Sequence, residues 1–319
     1  MVFSVSGSRR NRFFTLTKPT FLFKQRFLLF NSERIKFQTN SEDCVMQQMT
    51  HTFNKGTVAL YSEPSVKAEH ADEALYGQNC AILEEKDGFF KVYTDYGYQA
   101  FVPKEDLSEG IYETNYAIKK PFADLLPKPE NCALSGLTLP MGALVFADSS
   151  FEHERYAAVK AIDGETYYVH KMALTPKFSV TDDREKLAAL SEEEKTALRE
   201  KIAAVALGLM DTQYRWGGKT AAGIDCSGLC FLSYHMNGIH LYRDAVFDKC
   251  AVLKEITLSE AKKGDLLYFP GHVAMYLGNG DYVHSTSAFD GVCLNSFNPY
   301  SPIYREVLAK ELLHVGTAF

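Results

Sequence analysis

The apolar residues of this chain keep one spacing up to about Pro176 and take another directly after it, so more than one architecture must be housed in it. From about Thr50 to Leu107, short apolar and aromatic runs alternate with turn signals. The runs are Val58-Ala59-Leu60-Tyr61, Ala81-Ile82-Leu83, Phe89-Phe90-Lys91-Val92-Tyr93 and Gln99-Ala100-Phe101-Val102-Pro103, with Asp87-Gly88 and Tyr96-Gly97 between them. A fainter copy follows in Met141-Gly142-Ala143-Leu144-Val145, Tyr156-Ala157-Ala158-Val159-Lys160 and Tyr167-Tyr168-Val169-His170-Lys171, again with an Asp-Gly pair, Asp163-Gly164. Two units of five to six strands in tandem predict two small β-barrels, the alternative being one larger β-domain. From Asp182 to Met210 the period is helical, with Leu187, Leu190, Leu198, Ile202, Val205 and Leu209 recurring among Glu and Lys. Ser191-Glu192-Glu193-Glu194 reads as a helix N-terminus.

The part with the helical period carries the chemistry. Tyr214-Arg215-Trp216-Gly217-Gly218 runs into Asp225-Cys226-Ser227-Gly228, and an apolar stretch from Leu229 closes at Asn237-Gly238, a helix with its stop signal. Cys226 then falls in the first helical turn, where unpaired N–H groups and the helix dipole are expected to lower a thiol's pKa. Downstream, an apolar strand at Leu266-Leu267-Tyr268-Phe269 precedes His272-Val273-Ala274-Met275-Tyr276-Leu277, and Gly278-Asn279-Gly280 turns the chain into Asp281-Tyr282-Val283-His284. That is a β-hairpin with a histidine in each arm. A nucleophilic cysteine needs a base, and the base needs an orienter, roles that fall to His272 and His284. A two-residue turn would put the histidines on opposite faces, because neighbours along a strand alternate. A three-residue loop or a bulge puts them on one face, and the mechanism requires that register. A zinc site from the same three residues is the rival chemistry, without the paired short-spaced ligands usual for structural zinc. His235, His240, Cys230, Cys250 and Cys293 read as structural, and Tyr214 and Trp216 are open to a core role.

The 319 residues carry a formal net charge of -6, which gives no reason to expect nucleic acid or an anionic membrane as partner. Seven scattered cysteines with no C-x-x-C pair point to reduced, buried thiols and a cytoplasmic home. Residues 1–48 are basic and rich in phenylalanine, and their best apolar run, Phe21 to Phe30, is split by Lys24 and Arg26. That excludes a signal core and a bilayer span, and the expectation is a disordered extension ahead of a start near Met46 or Met49 rather than a targeting or membrane-surface segment.

Together, Tyr214-x-Trp216-Gly217-Gly218, Asp225-Cys226-Ser227-Gly228, Gly264-Asp265-Leu266, His272-Val273-x-Met275-Tyr276-Leu277-Gly278 and Tyr282-Val283-His284 resemble the NlpC/P60 family of cell-wall peptidases over roughly Leu187 to Phe319. The upstream barrels resemble bacterial SH3 domains, and the whole arrangement is similar to the γ-D-glutamyl-L-diamino acid endopeptidases that recycle murein peptides. The resemblance implies an α+β, papain-like catalytic domain over residues 183–319. It implies SH3-like barrels over residues 49–110 and 111–178. It also implies a Cys-His-His triad at Cys226, His272 and His284, with no metal or other cofactor. Tyr214, Asp225 and Ser227 occupy the family's places for substrate and oxyanion. Arg243-Asp244-Ala245 matches the segment whose acid holds the substrate's free amino terminus, and Glu73 and Tyr98 are the candidates for an acid and a tyrosine lent by the first barrel. After Asp244 the chain departs: where related sequences often carry glutamine, Phe247-Asp248-Lys249-Cys250 has none. The implied reaction is hydrolysis of the γ-D-Glu–diaminopimelate (or lysine) bond in small murein peptides with free N-terminal L-Ala. The rivals are a secreted hydrolase of intact wall and a non-catalytic wall-binding protein. The sequence leaves the oligomeric state open.

Overall fold

The computed structural model describes residues 49–131 and 133–319. The expectations for residues 1–48, and Cys44 and Cys132, lie outside the described residues. The five described cysteines, Cys80, Cys226, Cys230, Cys250 and Cys293, are free thiols.

The alternation of the first segment becomes seven strands, β1 (His51–Phe53), β2 (Thr57–Tyr61), β3 (His70–Leu75), β4 (Asn79–Lys86), β5 (Phe89–Thr94), β6 (Gln99–Pro103) and β7 (Leu107–Glu109). They form one sheet in the order β3-β2-β6-β5-β4-β1-β7. Val58, Leu60, Ala74, Cys80, Val92, Ala100 and Val102 point inward around Phe53 and make a core of their own. Asp87 and Gly88 both take positive φ, 50° and 84°, the two-residue turn that an Asp-Gly pair favours between β4 and β5.

The second segment gives β8 (Tyr116–Ile118), β9 (Phe122–Leu125), β10 (Leu137–Pro140), β11 (Leu144–Asp148), β12 (Tyr156–Lys160), β13 (Thr166–His170) and β14 (Leu174–Pro176). Five of these make a sheet ordered β13-β12-β11-β8-β14, and β9 and β10 pair beside it. Met141 to Val145, expected as one run, is divided: Met141-Gly142 is the turn between β10 and β11, with Gly142 at φ 90°. This barrel encloses a core of Ile118, Leu125, Leu139, Val145, Val159 and Val169, distinct from the cluster around Phe53. Leu75 and Tyr76, at the end of β3, lodge in that second core and tie the barrels together.

Beyond Pro176 come α1 (Arg184–Ala188) and α2 (Glu192–Leu207). Ser191 and Glu194 close a reciprocal capping box at the start of α2. After the short pair β15 (Lys219–Thr220) and β16 (Gly223–Ile224), α3 runs Cys226–His235, and Gly238 at φ 76° turns the chain away just past its end. A six-stranded sheet follows from β17 (Lys254–Ile256), β18 (Leu266–Phe269), β19 (His272–Gly278), β20 (Asp281–Thr286), β21 (Gly291–Ser296) and β22 (His314–Thr317), ordered β17-β22-β18-β19-β20-β21. One face packs on α2 and α3 through Leu266, Met275, Val283, Ile202, Leu229 and Phe231. The other is sealed by Phe269, Tyr276, Tyr282 and Val315 against Leu308 and Leu312, at and just beyond α4 (Glu306–Glu311). A helix buried against an antiparallel sheet, behind two barrels, is the α+β arrangement the resemblance implied.

Candidate active site

Four backbone demands fix where Cys226 sits. Asp225 caps α3, its Oδ1 accepting from the Gly228 N–H at 2.6 Å and its Oδ2 from the Gly217 N–H at 2.9 Å. Gly217 takes φ 73°, and a Cβ there would stand 2.4 Å from the His70 carbonyl oxygen. A Cβ on Gly228 would meet the Gly218 oxygen at 2.2 Å. Gly228 is thus set by close approach of the Trp216–Lys219 loop to the helix start, and Gly217 by approach of the same loop to His70 at the start of β3. Trp216 is not a core aromatic: it is 58% exposed, and its indole N–H donates to Glu69 at 2.8 Å.

The hairpin adopts the register the chemistry needs. Met275 lies opposite Val283 and Tyr276 opposite Tyr282, and a bulge between Tyr276 and Gly278 restores pairing at Asp281. Continued back along the strands, that register sets His284 against Ala274, two residues from His272 and on the same face. The imidazoles meet, with His272 Nε2 2.8 Å from His284 Nδ1. α3 packs against β19, the strand that begins at His272, and the Val273 N–H next along from His272 acts to lower the Cys226 thiol pKa.

The electrostatics correct one expectation. Burial, followed by the negative charge of Asp225, pushes the Cys226 thiol up to about 11, against the opposing N–H groups of Val273 and Ser227. A helix start lowers a thiol pKa when its N–H groups are free to face the sulfur. Here the capping carboxylate occupies one of them and adds an anion of its own. Burial and then His284 drive His272 down to about 3, and burial drives His284 down to about 4, partly offset by a hydrogen bond to Asn295. The resting site therefore pairs a thiol with neutral imidazoles rather than a thiolate with an imidazolium.

A buried charge network runs from the helix cap into the first barrel. Arg243, 2% exposed, donates to Asp225 at 3.0 and 3.1 Å, to Ser227 Oγ at 2.9 Å, to the Gly218 carbonyl at 3.2 Å and to Asp72 of β3 at 2.6 Å. The second oxygen of Asp72 accepts from Lys219 Nζ at 3.1 Å and from the Tyr96 hydroxyl at 2.5 Å. Lys219 Nζ also lies 3.9 Å from the Tyr96 ring centre. Burial alone would raise Asp72, but Lys219 and Arg243 outweigh it and hold the carboxyl below its usual range.

The other candidates fall around this network. Tyr214 bridges to Ile224 beside the cysteine; burial, then Cys226 and Asp225, push its hydroxyl up to about 12. The Asp225 and Ser227 side chains are engaged within the protein, Ser227 Oγ donating to Asp225 at 3.1 Å, and the Asp225 backbone is engaged as well, its N–H donating to the Gly218 carbonyl and its carbonyl accepting from the Leu229 N–H. Glu73 is buried and accepts from the Lys219 N–H at 2.9 Å and from Arg215 at 3.4 Å. The Tyr98 hydroxyl donates to Asp244 at 3.4 Å, so barrel and catalytic domain meet at that acid. Burial raises the Asp244 carboxyl. The sequence reading missed Asp72, Lys219, Tyr96 and Asn295; the Asn295 signal, a lone amide two residues past Cys293, is too weak to find alone. Among the described residues no cluster of three His, Cys, Asp or Glu side chains is arranged to hold a metal ion.

Comparison with known proteins fits this geometry. Residues 211–316 match the NlpC/P60 family, and residues 60–107 match the bacterial dipeptidyl-peptidase Sh3 domain. Dipeptidyl-peptidase 6 of Lysinibacillus sphaericus is 36% identical over 270 residues, covering 82% of this chain and 96% of that protein. The chain belongs to the NlpC/P60 family, and it is a cysteine peptidase. The gamma-D-glutamyl-L-lysine dipeptidyl-peptidase of Bacillus subtilis (strain 168) is 38% identical over 80 residues, 23% of this chain and 27% of that protein. The fold is shared with an NlpC/P60 family protein from Bacillus cereus ATCC 10987, with a TM-score of 0.66 at 18% identity over 83% of this chain and 98% of that one.

Proposed function

We propose that this peptidase hydrolyses the γ-D-glutamyl–diamino acid bond, with diaminopimelate or lysine at the third position, in small murein peptides that carry a free N-terminal L-Ala. The observation that carries the reading is the contact of Tyr98 from the first barrel with Asp244 beside the cysteine helix. Near it, Asp244 is a half-buried carboxylate with no lysine or arginine among its hydrogen-bond donors, so a substrate ammonium supplies the missing partner. A barrel standing over one end of the site leaves room for a short peptide and not for a long strand.

In this reading Cys226 is the nucleophile and His272 the base. His272 takes the thiol proton as sulfur attacks the γ-carbonyl of D-Glu. The Cys226 N–H and the Tyr214 hydroxyl receive the oxyanion. His272 then protonates the leaving amine of the diamino acid, and water cleaves the thioester by the reverse proton path. The high thiol pKa makes that first proton transfer part of the attack rather than a step completed beforehand. Free thiols at every described cysteine favour a cytoplasmic site of action; recovery of the enzyme in the medium or wall fraction of its source cells would overturn that part.

The test offers L-Ala-γ-D-Glu-diaminopimelate with free and with acetylated amino terminus. The expected result is cleavage of the free peptide and strong loss with the acetylated one. Equal cleavage of both removes the amine-recognition reading. Cleavage that survives Cys226→Ala removes the assignment of the nucleophile.

A further inference from the structure

The histidine pair is gripped from behind by an amide on the edge strand. Asn295 of β21 is buried, with Oδ1 2.9 Å from His284 Nε2, while its Nδ2 donates to the Ile303 carbonyl at 3.0 Å. A backbone carbonyl only accepts, so the amide nitrogen must face Ile303 and the amide oxygen must face the ring. An acceptor at that position requires His284 to carry its proton on Nε2. His284 Nδ1 is then a bare lone pair, and at 2.8 Å it requires the proton of His272 to sit on Nε2. His272 Nδ1 is left unprotonated, and that is the nitrogen a thiol proton needs.

We propose that Asn295 is a positioning residue of the peptidase: anchored on Ile303, it sets the tautomer of His284 and, through it, keeps His272 Nδ1 free to act as base. This rests on the reading of Cys226 and His272 as nucleophile and base. The identity of the residue matters as much as its place. The charged and titratable groups around His284 are His272 on β19, Arg305 before α4, Cys293 directly opposite on β21 and Tyr282 on its own strand, whose ring lies 5.4 Å away. Arg305 disfavours an imidazolium at His284, and a neutral amide adds nothing to favour one. A carboxylate at position 295 would stabilise the doubly protonated ring. That ring would donate from Nδ1 to His272 Nε2 and move the His272 proton to Nδ1, where it blocks the base.

The experiment combines ¹⁵N spectroscopy of the histidines in the resting wild-type enzyme with kinetics of Asn295→Ala and Asn295→Asp on a free-amino γ-D-Glu–diaminopimelate peptide. In the wild type near pH 7, both His272 and His284 are expected as the Nε2–H tautomer. Asn295→Ala should lower kcat roughly 10- to 100-fold while KM moves by no more than about twofold. Asn295→Asp should move the acid limb of the kcat profile up by about one pH unit or more, a shift that a loss of packing alone does not produce. A wild-type His284 protonated on Nδ1 overturns the proposal even if neither variant folds. So does a folded Asn295→Ala enzyme with wild-type kcat, or an Asn295→Asp profile with its acid limb unmoved. If the wild type is active and Cys226→Ala is equally active, the catalytic reading has failed and Asn295 falls with it. An active wild type, a dead Cys226→Ala and the wrong tautomer sink the Asn295 assignment alone.

Discussion

Where the first barrel meets the catalytic domain it brings Asp72, Glu73, Tyr96 and Tyr98; where the second meets it, it brings Met141 and Gly142 against apolar side chains. A Cβ on Gly142 would stand 3.4 Å from Leu232 of α3, and only 3.0 Å from Leu75 of β3, an approach tighter than ordinary packing. The first contact is made of charges with fixed partners and directions. The second is made of shape. An apolar contact tolerates small shifts and exchanges of side chain, whereas a buried ion network holds only in one arrangement. The contrast teaches that two barrels of similar build are coupled differently to the cysteine: the first reaches Asp225, the cap residue next to Cys226, through a single arginine.

The sharpest way to break this contrast is Asp72→Ala. It leaves Arg243 and Lys219 buried without a shared counter-ion, and the expected cost is about 3–5 kcal/mol in chemical unfolding, with a fall in kcat as Arg243 loosens its hold on Asp225. Met141→Ala should cost less, about 2 kcal/mol, and leave kcat/KM unchanged, because its contacts do not reach the cap. If Met141→Ala proves the more damaging to kcat, the contrast is wrong.

Acid sharpens it further. Asp72 sits below the usual carboxylate value, so its contribution is present above an ordinary pKa of 3.8 and is lost only as pH falls through the lower folded value. The depressed histidines behave in the opposite compartment of the scale. His235, His272 and His284 fall from 6.5 to about 3, 3 and 4, so the unfolded chain takes up protons that the folded one refuses. Stability should decline from about pH 6.5 downward, each such histidine contributing up to about 1.4 kcal/mol per pH unit. Unfolding followed by calorimetry between pH 7 and 4 checks this, and a flat profile would contradict neutral, buried imidazoles. The smallest effect is expected of Tyr98→Phe. Removing the hydroxyl above Asp244 should raise KM for the free-amino peptide by about fivefold, equivalent to about 1 kcal/mol, and leave stability nearly unchanged.

Much of this was legible in the chain. The capping box at Ser191 and Glu194, the Asp87-Gly88 turn and the stop at Gly238 follow from local rules, and they appear where the rules place them. The histidine register was narrowed to two options by strand alternation, and the bulge near Leu277 supplied the workable one. What stayed hidden was hidden for physical reasons. Strand β3, His-Ala-Asp-Glu-Ala-Leu, does not read as a strand because two adjacent acids interrupt its pattern, yet both are buried, neutralised by Arg243, Lys219 and Arg215 from more than a hundred residues away. Asn295 reads as an ordinary polar residue of an edge strand until the fold lays His284 against it. The raised thiol pKa is hidden too, because burial, its larger cause, and the carboxylate that caps the same helix both come from the folded arrangement and outweigh the effect of a helix start.

The arginine between Asp72 and Asp225 also limits how this chain can be cut and recombined. Arg243 is buried from both sides, so a catalytic domain made without the first barrel would expose a guanidinium and an ammonium close to Cys226. A foreign barrel grafted in its place would need an acid at the position of Asp72, aimed at the same two cations. The barrel behaves less as an accessory that can be swapped for another binding module than as a missing segment of the catalytic wall, supplied from elsewhere in the sequence.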